Sequence, residues 1–323
     1  MTSEYGLFSS NDIINLPKDG KKPIIDNLLY ERENVLVLAD SKVGKSILVQ
    51  QMLFCISSGK PFLNLKSYEN PCLYALFEGD KYDLQSNMVN MNMNKDIECK
   101  RENLYILYHF GITLNTDKGL AFFMTYIDKA IENGMPIPKV IVLDCLYMAF
   151  KGKLVDDDRA SDFCRNVRQI NDKYNTAVVV IHHTHRAKRD KEGTIIDEGD
   201  NSFYGAFLWK AFPNHILLLE NLPGKGKRLT CNTQRMGKIL EKIDMDFVQP
   251  TPLFFRAKGK YPWSMQNILD NIPKSGITHD ELMSKASVSS ATLYKVLGEL
   301  MEVGEIEKIE NVYPNKWKRN KEI

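Results

Sequence analysis

The sequence predicts an α/β fold, a mostly parallel, twisted sheet flanked by helices, followed by a small domain with a different pattern. Three observations predict it. Unbroken apolar runs recur at Val35-Leu36-Val37-Leu38, Cys72-Leu73-Tyr74-Ala75-Leu76-Phe77, Val140-Ile141-Val142-Leu143 and Ala177-Val178-Val179-Val180-Ile181. Runs without polar alternation suit strands buried on both faces. Between them, residues 47–54, 84–95, 119–133 and 160–174 carry apolar side chains at helical spacing, and alternating strands and helices build parallel sheets. Beyond Lys258-Gly259-Lys260-Tyr261-Pro262 the pattern changes to short helices and a hairpin.

The first element to justify is the one after the first strand. Ala39-Asp40-Ser41-Lys42-Val43-Gly44-Lys45-Ser46 separates that strand from a helix that continues through Ile47. A tight loop there turns successive backbone N–H groups inward, and the new helix aims its positive end at the same point. A triphosphate is the natural occupant. Lys45 would reach its outer phosphates, and the Ser46 hydroxyl would ligate Mg²⁺. Ala39 stands where this loop pattern usually begins with glycine. Alanine is the mildest replacement, provided that position needs no positive φ. The bland alternative is a chance match in an ordinary turn.

The second strand ends in Glu78-Gly79-Asp80, an acid at the sheet edge where α/β folds bind ligands; a solvated loop acid is the alternative. The Asn- and Met-rich stretch 84–95 reads as a helix with a soft apolar face and no chemistry. Leu104 to His109 reads as a third strand, and 119–133 as an amphipathic helix closed by Gly134, Pro136 and Pro138.

Val140 to Leu143 ends in Asp144, the acid expected to hold Mg²⁺ beside Ser46. Cys145 follows, so this strand offers no glutamate beside Asp144 to activate water for cleavage of a triphosphate. The water-orienting carboxylate must then come from another strand, which favours Glu78. Ala177 to Ile181 runs into His182-His183-Thr184-His185. Adjacent strand residues point to opposite faces, and no Cys or carboxylate lies at ligand spacing in the sequence. We therefore expect His182 or His183 to sense the terminal phosphate by hydrogen bond, not to ligate a metal.

The remaining elements bear on partners. The charged loop 150–161 carries Lys151 and Lys153, and the loop 186–201 carries Lys188, Arg189 and Lys191. Both are candidates to follow a nucleic-acid backbone; solvated loops are the alternative. Strands are expected at 215–220 and 227–232, and Phe247, Leu253, Phe254 and Phe255 close the domain. Arg235 is either a surface arginine or, in a ring, a trans-acting finger. In the last part, Met265 to Ile272 reads as a helix. Thr278-His279-Asp280-Glu281 is a capping box opening a second, and Ser290 to Val303 forms a third. A hairpin at 305–309 and 312–318 completes a winged helix-turn-helix. Ser290, Thr292 and Lys295 would touch DNA, although acids nearly balance the bases here and protein docking is the rival use.

We place an N-terminal arm at 1–29, the main domain at 30–257, a linker at 258–264 and the final domain at 265–323. The chain has 323 residues and a formal net charge of +2, which argues neither for nor against nucleic acid. Six scattered cysteines without a C-x-x-C pair suit reduced thiols, not a disulfide framework or zinc site. Met1 to Asn11 is polar, and no run is long enough to span a membrane. The expectation is a cytoplasmic protein with no membrane partner.

Taken in order, the phosphate loop, Glu78, Asp144, the His182-His183 pair and Arg235 resemble a RecA-like P-loop ATPase, in particular the RepA-like hexameric replicative helicases. The resemblance covers about residues 20–250. It implies ATP and Mg²⁺ as ligands, the catalytic glutamate at Phe77-Glu78-Gly79-Asp80 and the sensor at Val180-Ile181-His182-His183. It also implies a homo-oligomeric ring, single-stranded or forked DNA, and replication proteins as partners. Thr233-Gln234-Arg235 departs from the family's Lys-x-Arg, so one of two trans cations is missing. Two other functions remain in view: a DNA-binding regulator or recombination mediator with a slow ATPase switch, and, less well supported, a small-molecule kinase.

Overall fold

The computed structural model describes residues 9–15, 21–94, 97–109, 111–183, 207–222, 226–234, 242–249, 253–257, 263–286, 288–309 and 315–320. The chain opens with helix α1 (Ser10–Ile14) and a hairpin of β1 (Pro23–Ile25) and β2 (Leu29–Tyr30). The strand β3 (Asn34–Ala39) feeds helix α2 (Lys45–Ser58). Then come β4 (Cys72–Leu76), α3 (Lys81–Met91), β5 (Leu104–Tyr108), α4 (Asp117–Glu132), β6 (Val140–Asp144), α5 (Asp157–Tyr174) and β7 (Ala177–His183). The domain closes with α6 (Leu208–Ala211), β8 (His215–Asn221), β9 (Gly226–Gln234), β10 (Lys242–Val248) and β11 (Phe254–Ala257). The last segment holds α7 (Trp263–Asp270), β12 (Ile277–Thr278), α8 (His279–Ala286), α9 (Ser290–Glu302), β13 (Ile306–Ile309) and β14 (Lys316–Arg319).

Among the described residues the main sheet has nine strands in the order β11-β10-β9-β8-β3-β7-β6-β4-β5. The six from β8 to β5 are parallel; β8 to β11 pair antiparallel. β3, β4 and β6 are buried at every position, as their unbroken apolar runs require. Strand alternation divides the core. Val37, Tyr74, Val142 and Ile181 face α2, while Leu36, Ala75, Leu143 and Val180 lie with residues of α4 and α5 on the other side.

The α2 helix is buried around most of its circumference, which is why its sequence is apolar without a polar stripe. Part of its cover comes from β11. The Gln51 amide donates to the Phe255 carbonyl at 2.8 Å and accepts from the Phe255 N–H at 2.7 Å.

The structure answers one question that the sequence left open and departs from the sequence reading in three places. Ile24, Ile25, Leu28 and Leu29 are at most 1% exposed and join the α2-side core, so the end of the arm packs on its own chain. The α5 helix begins at Asp157, not Ala160, because Asp156 caps it by accepting from the Arg159 N–H at 3.2 Å. The acids assigned to a loop are thus a cap and a first turn, where the helix dipole favours them. β10 and β11 are strands that the charges at Lys242, Asp244, Asp246 and Arg256 concealed. In the final segment β12 adds to the expected hairpin, giving the sheet β12-β14-β13. Its three helices appear as expected, with the Thr278–Glu281 box formed in both directions. This segment has its own core, in which Leu293, Leu297 and Leu300 of α9 meet Ile268 and Trp317.

One buried charged pair fastens the start of β8 to the residue before β3. His215 Nε2 lies 3.0 Å from Glu33 Oε2, and both side chains are buried. Burial pulls the imidazole pKa down, but hydrogen bonds with Cys231 and Glu33 outweigh it and carry His215 up to about 9. A pKa raised above the ordinary 6.5 gives stability that is complete below that pH and fades as pH climbs through the folded value. Urea unfolding should therefore show stability falling by up to about 3 kcal/mol between pH 6.5 and 9.5. A His215→Phe variant should lose most of that slope.

Candidate active site

β3 delivers the chain to the loop at Ala39, which is fully buried and ends the strand. Within the loop, Lys42 (φ 64°) and Gly44 (φ 110°) take left-handed backbone, and Ala39 does not. Alanine at 39 is consequently unstrained. Gly44 is constrained twice: by its φ, and by Phe255, whose Cζ would lie 2.9 Å from an added Cβ. Gly44 is also the N-cap of α2 and offers no side chain to its first turn, so the N–H groups there remain available to an anion.

Lys45 folds back across this loop. Its ammonium donates to the carbonyls of Ala39 at 3.0 Å and Asp40 at 2.7 Å. Burial lowers its pKa, while the charges of Asp144 and Asp40 act in the other direction. Asp144, at the end of β6, is buried as well. Burial raises its carboxyl pKa, opposed by hydrogen bonds from the Tyr74 and Ser46 hydroxyls. Gln50 in turn donates to the Tyr74 hydroxyl at 3.3 Å. Ser46 and Asp144 thus present two hard oxygen ligands side by side, the donor type Mg²⁺ takes, and the residues fit that ion.

Opposite them lies the tip of β4. In register Leu76 pairs with Asp144, so Glu78 projects just beyond the strand that carries the aspartate. Glu78 is exposed, and its Oε2 accepts from the Cys145 thiol at 2.8 Å. Burial, then the bond and charge of Glu78, push the Cys145 pKa up to about 12. His183 is half-buried; burial and the Lys45 charge lower its pKa, against Glu78 and Asp144. Lys42, Gly44, Lys45, Ser46, Ile47, Glu78, Asp144 and His183 all line one cavity of about 380 Å³.

The structure separates the two histidines that the sequence left as alternatives. His182 is not among the residues lining the cavity. It is 2% exposed and follows the parity of Val178 and Val180, which face α4 and α5. Of the two histidines only His183 lines the cavity. Ligand spacing in the sequence did not reveal that, in space, Glu78 and Cys145 converge on His183 from the tips of two other strands. Sequence reading missed Tyr74 and Gln50 as supports of Asp144; a lone hydroxyl in an apolar strand run was the available signal for Tyr74. Asp40 and Ser41 are exposed and Val43 is buried, each outside the cavity lining. Lys151 and Lys153 are exposed, and the Asn115 side chain pins the Lys151 backbone at 2.8 and 3.0 Å. Ser290, Thr292 and Lys295 lie in the first two turns of α9. Lys188, Arg189, Lys191 and Arg235 lie outside the described residues.

A loop offering N–H groups and an ammonium on one side, with carboxylates across a small cavity, suits a phosphate chain carrying a divalent ion. The class of protein this defines is the P-loop ATPase with a RecA-like core. In agreement, residues 2–189 match the family described as AAA domain. That is more than half of the 323 residues, and the chain belongs to this family, whose P-loop implies nucleotide and usually Mg²⁺ use. A search of curated proteins found no match. No helix among the described residues is long and apolar enough to cross a membrane.

The two small residues of the loop should respond differently to exchange. Gly44→Ala should destabilise the fold by about 1–2 kcal/mol and weaken nucleotide binding at least about tenfold in titration calorimetry. Ala39→Gly should leave nucleotide affinity within about twofold, costing about 1 kcal/mol of stability as glycine in a strand does.

Proposed function

We propose that the protein is an ATP-hydrolysing motor on DNA and, more finely, a ring-forming replicative helicase of a plasmid, phage or mobile element. The observation that carries this reading is the position of Glu78, one strand away from Asp144 and across the cavity from Lys45. An ATPase that keeps its base on the adjacent strand agrees with the resemblance to ring helicases.

In this reading Lys45 and the first-turn N–H groups of α2 grip the β- and γ-phosphates. Glu78 orients a water in line with the γ-phosphorus and takes its proton as ADP and phosphate separate. Cys145, donating to Glu78, holds the carboxylate toward the cavity. His183 hydrogen-bonds the terminal phosphate. Ser46 and Asp144 would hold Mg²⁺, which would supply neutralisation of charge on the phosphate oxygens. Arg235 would reach a neighbour's nucleotide in a ring, with Lys151, Lys153, Lys188, Arg189 and Lys191 along the DNA strand. The final domain fits a protein partner better than a phosphate backbone. Lys295 lies 3.7 Å from Glu299 and Lys318 2.8 Å from Glu307, so its cations are partly neutralised.

Lys45→Ala should abolish both ATP binding and turnover. Glu78→Gln should keep ATP binding and lose turnover by about 10²-fold or more; normal hydrolysis by that variant would remove Glu78 from the mechanism. Displacement of a strand from a forked duplex should require ATP. ATPase activity with no displacement would leave the regulator or recombination-mediator reading in place of the helicase.

A further inference from the structure

The tips of three neighbouring strands, β4, β6 and β7, bring together a thiol, an imidazole and a carboxylate, a donor set wider than phosphate chemistry requires. A ligand atom from each of Glu78, Cys145 and His183 lies within 4.8 Å of the other two. We propose that these three residues form a site for a thiophilic divalent cation of the zinc type, separate from the Mg²⁺ position at Ser46 and Asp144.

The argument is one of donor chemistry and distance. A thiol, an imidazole and a carboxylate are the ligand types zinc takes, while Mg²⁺ selects oxygen alone. Tetrahedral zinc, with bonds of about 2.0–2.3 Å, sets its ligand atoms roughly 3.3–3.8 Å apart. The Cys145–Glu78 pair, at 2.8 Å, opens by about 0.5–1 Å to admit the ion, and the remaining separations, within 4.8 Å, close by no more than about 1.5 Å. Exposed Glu78 and half-buried His183 can make that movement by side-chain rotation. Cys145 itself is buried and fixed by its place beside Asp144, so it supplies the rigid corner. Three protein ligands leave a fourth position open toward the cavity, as in sites where zinc also holds water or an anion.

Binding involves no redox change. Sγ of Cys145 forms its bond to the metal as the thiol proton leaves to solvent, and Glu78 and His183 each contribute a lone pair. The site requires nothing of the ATPase reading. Its consequence does rest on that reading: a carboxylate held by zinc cannot orient water, so the bound ion should shut off hydrolysis reversibly.

Cobalt(II) tests the site directly. The full-length protein, free of Mg²⁺ and nucleotide, should develop a near-ultraviolet thiolate-to-cobalt charge-transfer band that saturates at one ion per chain. Cys145→Ser should abolish the band and His183→Ala should weaken binding at least about tenfold. Cys164→Ser, on the other face of the sheet, should leave it unchanged. Circular dichroism shows whether each variant is folded, and if Cys145→Ser is not, His183→Ala decides. No band in the unaltered protein, or an undiminished band in a folded Cys145→Ser or His183→Ala variant, overturns the proposal. The ATPase reading is judged separately, by nucleotide binding and turnover of Lys45→Ala and Glu78→Gln in Mg²⁺ without cobalt. A missing band beside normal Mg²⁺-dependent turnover sinks the metal site alone.

Discussion

The loop turns at Gly44, and much of the molecule is arranged to hold that turn. Its backbone sits where a side chain is strained, and the ring of Phe255 fills the space a Cβ would need. Phe255 comes from β11, the far edge of the sheet and more than two hundred residues later in the chain. It is held in place by the Gln51 amide on one side and by stacking on Phe247, with ring centroids 4.7 Å apart, on the other. The antiparallel half of the sheet therefore does more than lengthen it. By helping to cover α2, it lets an apolar helix start at a polar site.

The chemistry is confined to one face and one edge. Strand alternation gives the α2 side Tyr74, Asp144 and His183, while the other face receives an apolar core; among the described residues, the only buried carboxylates and lysine are Glu33, Asp144 and Lys45. Burying Lys45 and Asp144 is unfavourable for each charge alone. Their proximity, with hydroxyls from Ser46 and Tyr74, offsets part of that cost and leaves an arrangement poised for a ligand that brings both anion and cation. His182, one residue from the cavity in sequence, is a core residue by parity.

Much of this was legible in the sequence, and what was not has physical reasons. The loop, Lys45, Ser46 and Asp144 are local patterns, read from the strand before and the helix after. Glu78 was legible by elimination, since Cys145 occupies the place where a base was expected. The meeting of Glu78 with Cys145 was not, because they are 67 positions apart and only the order of β4, β6 and β7 unites them. Alternation told us that His182 and His183 diverge, but not which parity faces α2; that depends on the side to which α2 crosses. β10 and β11 were hidden because one of their faces is polar, which breaks the apolar run that marks a central strand.

The same strand that presses on the loop also ends the domain. β11 stops at Ala257, α7 begins at Trp263, and α7 lies against β10, the partner of β11. Surface ion pairs of the final segment, such as Lys318 with Glu307, are weak fasteners. Its integrity rests on the core around Leu293 and Trp317. Close-packed interiors transmit displacement instead of absorbing it. Phe255, which packs where a Cβ on Gly44 would lie, belongs to the last described strand before the final segment. The contact that makes glycine necessary in the loop thus joins the phosphate site to the strand after which that segment begins.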